Sequence, residues 1–134
     1  MTTFAGSLDT NVLLRLTLKD IPGQFERAKR LVAAPGARFL VSDTAIIEYV
    51  FALERHYALS RAQIEEMLTG LMTIPALECN DTLLLEAAAL YIGHPKLSFE
   101  DCYLATSAQA FDATPLWSFD KKLVKQTKLT QEPD

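Results

Sequence analysis

The chain lacks most features that would announce a function at once. It has no internal repeat, no low-complexity tract and no long Pro/Gly/Ser linker, so its 134 residues read as one domain around one core. Only two cysteines occur, Cys79 and Cys102, in apolar surroundings and without metal-type spacing; they predict buried thiols in a reducing compartment. Only two histidines occur, His56 and His94, far apart and near predicted helix ends, which argues against a catalytic dyad. There is no glycine-rich phosphate loop and no nucleophile elbow. No apolar run approaches a membrane span, and the N-terminus lacks a basic segment followed by an apolar stretch. The expectation is a cytoplasmic protein with no membrane partner. Positive charge is also in deficit: 13 Lys and Arg against 17 Asp and Glu give a net charge of −4. That argues against gripping nucleic acid by bulk electrostatics, but not against meeting it at a local patch.

What is present is an alternation of short apolar runs and capped helical stretches. Phe4 to Leu8 reads as a buried strand, and Asp9 or Thr10 caps a helix through Leu16. Pro22 to Ala34 is amphipathic, with Phe25, Ala28, Leu31 and Val32 on one face. Arg38 to Val41 is the second strand. Ser42 then caps a helix from Asp43 to His56 that is apolar nearly all round, a pattern that predicts burial. Ser60-Arg61-Ala62-Gln63 has the form of a capping box and opens a helix through Leu71. Ile74 to Cys79 is a third strand, Asn80 caps a helix to about Tyr91, and Ser98 caps a helix to about Phe111. Leu116 to Phe119 is a fourth strand, and Asp120 starts a short basic turn. The domain is expected to occupy residues 1–125, with a loose polar tail over 126–134 in which Leu129 is available to a sheet edge. Strands separated by helices imply parallel pairing in an α/β sandwich, with a site at the carboxyl ends of the strands.

Acidic residues fall at those ends. Asp9 and Asp120 each close an apolar strand, and Glu100-Asp101 opens a helix. The bland alternative is that each is a helix cap or a dipole partner. Glu48 weakens that alternative. It is the only charge inside its apolar helical run, and its neighbours one turn away are Thr44, Ala45, Phe51 and Ala52, none of them a cation. A buried unpaired carboxylate is costly, so Glu48 either reaches a surface or groove or faces a cation. Carboxylates gathered in one place repel unless a cation lies between them, and an all-oxygen donor set suits Mg²⁺ or Mn²⁺. Such an ion would polarise a phosphodiester and activate a water. Glu100 competes with Asp101, because the sequence does not say which acid points to the site.

Leu8-Asp9-Thr10-Asn11-Val12-Leu13-Leu14-Arg15, Ile47-Glu48, Phe99-Glu100-Asp101-Cys102-Tyr103-Leu104-Ala105 and Trp117-Ser118-Phe119-Asp120-Lys121 resemble, in this order, the four motifs of PIN-domain ribonucleases. The closest flavour is the VapC-type toxins of bacterial toxin–antitoxin pairs, and the resemblance runs from about residue 7 to 124. It implies a three-layer α/β/α sandwich with a central, mainly parallel sheet. It further implies a metal-dependent endoribonuclease with a water nucleophile. Asp9, Glu48, Asp101 and Asp120 match the family's acidic metal-binding residues, with Mg²⁺ or Mn²⁺ as the cofactor. Ser118 matches a small hydroxyl that orients the acids, and Asn11 and Arg15 match polar positions beside the site. Arg15, Lys121 and Lys122 are then expected to meet the RNA backbone. The implied partners are an RNA substrate, a small cognate antitoxin and a second copy in a homodimer. The alternative is a non-catalytic module of the same fold whose acidic cleft engages a basic protein or peptide.

Overall fold

Caps written into the sequence set where the helices begin. The computed structural model describes residues 3–134, and the chain forms two compact units that meet in sequence at Asn80 and Asp81.

In the first unit the order is β1 (Gly6–Ser7), α1 (Thr10–Leu18), α2 (Pro22–Ala33), β2 (Phe39–Leu40), α3 (Asp43–Arg55), α4 (Arg61–Met72) and β3 (Leu77–Glu78). The strands form one sheet, β1-β2-β3, in which both pairs are parallel, with Gly6 opposite Phe39 and Phe39 opposite Leu77. The ladder runs one residue past each short strand: Leu8 N–H donates to the Leu40 carbonyl at 2.9 Å and Val41 N–H to the Glu78 carbonyl at 2.9 Å. Ser42 accepts from Ala45 N–H and caps α3, while Ser60 and Gln63 form the full capping box of α4. The core follows helical spacing: Ile46, Tyr49, Val50 and Leu53 from α3 are buried, as are Ile64, Leu68 and Leu71 from α4 and Leu13 from α1. Each such aliphatic side chain contributes about 1.5–3 kcal/mol by leaving water. The buried Tyr49 hydroxyl donates to Thr17 Oγ1 at 2.9 Å, and Thr17 donates to the Leu13 carbonyl at 2.9 Å. Burial pushes the Tyr49 phenol up to about 12, with the Thr17 hydrogen bond pulling the other way.

Two expectations for this unit fail, one for β1 and one for α3. Of the run Phe4 to Leu8 only Gly6–Ser7 is strand, both residues are exposed and only Leu8 is buried. Helix α3 is not buried all round: Thr44, Glu48 and Phe51 are exposed, and the Arg55 guanidinium lies over the Phe51 ring at 5.1 Å. Residues 44, 48, 51 and 55 recur at helical spacing, so a solvent stripe exists even though one of its members is aromatic. The apolar face of α2 is shallow. Only Ala28 is buried, and Leu31 is exposed.

The second unit contains α5 (Asp81–Gly93), α6 (Phe99–Ala110), β4 (Leu116–Trp117), α7 (Lys121–Gln126) and β5 (Thr130–Gln131). Helices α5 and α6 share a core of Leu84, Ala87, Ala88 and Tyr91 with Phe99, Cys102 and Ala105. The Tyr91 and Phe99 rings meet edge to face, 5.5 Å between centroids. Strand β4 pairs with β5 in parallel, Leu116 opposite Thr130. The segment after Gln126 is therefore held and not loose. Leu116 N–H donates to the Leu129 carbonyl at 2.7 Å, and Thr127 and Thr130 are buried. The segment is polar in composition, but its threonines are β-branched and suit a strand.

Every strand pair is parallel and helices separate the strands, which makes this a mostly helical α/β fold, as the pattern predicts. Among the described residues no helix is long and apolar enough to cross a membrane.

Candidate functional site

In the first unit, β1 delivers Asp9 to the start of α1. Asp9 keeps an extended backbone and its Oδ1 accepts from Thr10 N–H at 2.7 Å, so it is the N-cap. Thr10 is buried, and its hydroxyl lies 3.0 Å from the Ala45 carbonyl and 3.3 Å from Glu48 Oε2. One hydroxyl proton thus serves two acceptors on α3, and it ties the residue beside Asp9 to Glu48. Glu48 itself is exposed, which resolves its cost: it reaches a surface. Thr10 is the residue that sequence reasoning undervalued. It figured there only as an alternative cap. The available signal was a hydroxyl at the first helical position, directly ahead of an apolar run.

One turn along α1, Arg15 is held from two sides. Its guanidinium pairs with Asp20 at 3.3 Å and donates to the Tyr57 hydroxyl at 3.0 Å. Its side chain is only 13% exposed, so little of it is open to a ligand. Asn11 is exposed and joins Val12, Arg15, Gln24, Arg27 and Leu31 around a shallow pocket of about 290 Å³.

In the second unit, Ser98 and not Asp101 caps α6: the Ser98 hydroxyl accepts from Asp101 N–H at 3.1 Å. The Asp101 carboxylate is half-buried, while Glu100 is exposed. Asp120 caps α7, its Oδ1 accepting from Lys122 N–H at 2.9 Å and Leu123 N–H at 3.1 Å. Ser118 Oγ accepts from Asp120 N–H at 2.9 Å and so fixes the backbone that carries this acid.

Capping and ligation are compatible here. Asp9 and Asp120 each use Oδ1 for the cap, which leaves Oδ2 without a hydrogen bond among the described residues. The Glu48 carboxylate meets only Thr10, through Oε2, and the Asp101 carboxylate has no hydrogen bond or ion pair among the described residues. An oxygen-only donor set with free lone pairs fits a hard divalent cation. The structure links Asp9 and Glu48 through Thr10 in one unit and carries Asp101 and Asp120 in the other. Among the described residues it does not draw three or more His, Cys, Asp or Glu side chains into one metal-holding group.

The model of the PIN domain matches residues 7–129. The chain belongs to the PIN-domain family. PIN domains are typically nucleases that act on nucleic acid, and the family generally uses a divalent metal. The PIN match takes in both compact units and all four acids, and it reaches Leu129, just ahead of β5. Comparison with curated proteins returned no match.

Proposed function

We propose that this PIN-domain chain is an Mg²⁺- or Mn²⁺-dependent endoribonuclease, the toxin of a type II toxin–antitoxin pair, working in the cytoplasm. The observation that carries the reading is the placement of Asp9, Glu48, Asp101 and Asp120 within the PIN match, each with carboxylate oxygen left over from its structural contacts. These four would hold the metal. When bound, a divalent cation supplies Lewis-acid chemistry at a scissile phosphodiester and favours water as the nucleophile. The chain's own groups do the positioning. Thr10 restrains one Glu48 oxygen, the α1 and α7 caps fix the rotamers of Asp9 and Asp120, and Ser118 holds the backbone at Asp120. Asn11 and Arg15 border the site on α1, with Arg15 pre-set by Asp20 and Tyr57. The partners proposed with this reading are an RNA substrate, a small antitoxin and a second copy in a homodimer.

The test is incubation of the purified chain with total RNA in Mg²⁺ or Mn²⁺, with chelator as control, and mapping of the cut ends. Discrete cuts that vanish with chelator are expected. Intact RNA under all conditions would remove the reading. It would leave the alternative, a non-catalytic PIN module whose acids engage a basic partner.

A further inference from the structure

All five cations of the second unit are lysines, and four of them line one place. Lys96, from the loop before α6, joins Lys121, Lys122 and Lys125 of α7 around a shallow pocket of about 430 Å³. Of these four, only Lys121 has an ion-pair partner among the described residues, Glu132 at 2.6 Å. Such crowding of like charge is unfavourable unless a polyanion relieves it. It stands out in a chain whose net charge is −4.

A second observation comes from the segment that leads into α7. Trp117 is 57% exposed and Phe119 is 72% exposed. Trp117 ends β4 and Phe119 directly precedes the cap Asp120, so both open rings lie on the short segment that leads into the lysine-bearing helix. Lysines give point charges for phosphates, and open aromatic rings give faces on which bases stack. An acidic peptide would use the lysines but has no use for two bare rings. The same elements carry the acids: Lys96 precedes the cap Ser98 of the Asp101 helix, and Lys121 follows Asp120.

We propose that Lys96, Lys122 and Lys125, together with Trp117 and Phe119, form a surface that holds single-stranded RNA, with phosphates on the lysines and bases on the rings. This rests on the nuclease reading for the identity of the strand. It extends the expected backbone contacts from Lys121 and Lys122 to a surface with a base-stacking side.

Trp117 is the only tryptophan in the chain, so its fluorescence reports on this surface alone. The full chain is titrated, in chelator, with a 12-nucleotide uridine homopolymer, with inorganic polyphosphate and with polyglutamate, over a range of KCl. RNA is expected to quench Trp117, and polyphosphate to bind with little quenching. In the triple variant Lys96→Gln, Lys122→Gln, Lys125→Gln, the slope of log affinity against log salt is expected to fall by about 2, at roughly 0.7 per lost phosphate contact. Phe119→Ala is expected to weaken RNA binding roughly five- to a hundredfold while sparing polyphosphate. Unquenched Trp117 at saturating RNA, an unchanged salt slope, or tighter binding and equal quenching by polyglutamate would each overturn the proposal. The wild-type quenching needs no variant, so it decides even if a variant misfolds. RNA binding with quenching but no cleavage in Mn²⁺ would defeat the nuclease reading and leave this surface standing. Cleavage with RNA binding indifferent to the lysines would do the reverse.

Discussion

The two units use their polar residues differently. In the first, several charged and hydroxyl groups are engaged within the unit. Arg15 is held by Asp20 and Tyr57, Arg38 pairs with Glu78 at 2.6 Å, Thr10 bridges to Glu48, and Tyr49 closes on Thr17. In the second, serine and aspartate cap helices, while Lys96, Lys122 and Lys125 have no ion pair among the described residues and Trp117 and Phe119 stand open. In the first unit these contacts fix geometry around α1, α3 and the sheet. The other keeps charge and ring faces available for a ligand. Each carries two of the four acids to which the proposed function assigns the metal.

The largest expected effect tests that last point. Asp9→Asn and Asp101→Asn, one from each unit, are each expected to lower RNA cleavage by at least about a hundredfold, the scale at which removing one electrostatic stabiliser is felt. Asn caps a helix nearly as well as Asp, and Asp101 is not the cap of its helix, so both variants should melt close to wild type. Metal-dependent cleavage retained in either variant would confine the chemistry to one unit. Unfolding of the variants would favour a purely structural role for the acids.

A smaller effect distinguishes internal from outward polarity. The Tyr49 phenol keeps its proton to about pH 12 in the fold but ionises near pH 10 when unfolded. Its contribution is complete below pH 10 and lost as the pH rises toward 12, with a loss on the order of 2–3 kcal/mol. Tyr49→Phe should flatten that decline, read by denaturant melts from pH 8 to 12. An unaltered decline in the variant would show that the phenol is not shielded. The smallest effect concerns the helix that carries Asp101. Ser98→Ala is expected to cost about 1 kcal/mol of stability, whereas Asp101→Asn is expected to be near neutral. The reverse ranking would make Asp101 the cap and weaken its case as a ligand.

Much of this was legible in the sequence because it depends on neighbours in the chain. Ser42, Ser60 and Ser98 announce their helices through residues three positions on, and the apolar runs ahead of Asp9, Ser42 and Asp120 mark strand ends. What was not legible depends on partners far along the chain. The Thr10 bridge to Glu48 spans 38 positions. The restraint on Arg15 depends on Tyr57, and the exposure of Phe51 on which side of α3 meets the core. Strand β5 is too short and polar to show a period of two, and it is fixed by the N–H groups of Leu116 and Ser118. Candidate acids could be named because Asp9 and Asp120 each close an apolar run and Glu48 has no cation one helical turn away. Their joint geometry could not, since no local pattern encodes it.

The central claim of the proposed function is that Asp9 and Asp101 each serve as ligands for a divalent cation. The most direct test follows the melting temperature during Mn²⁺ titration of wild type, Asp9→Asn and Asp101→Asn, without RNA. Binding to the native state at a hundred times Kd stabilises by about 2.7 kcal/mol. The account predicts a rising melting temperature in the wild type and a blunted rise in both variants. No rise in the wild type, or an equal rise in all three proteins, would contradict it.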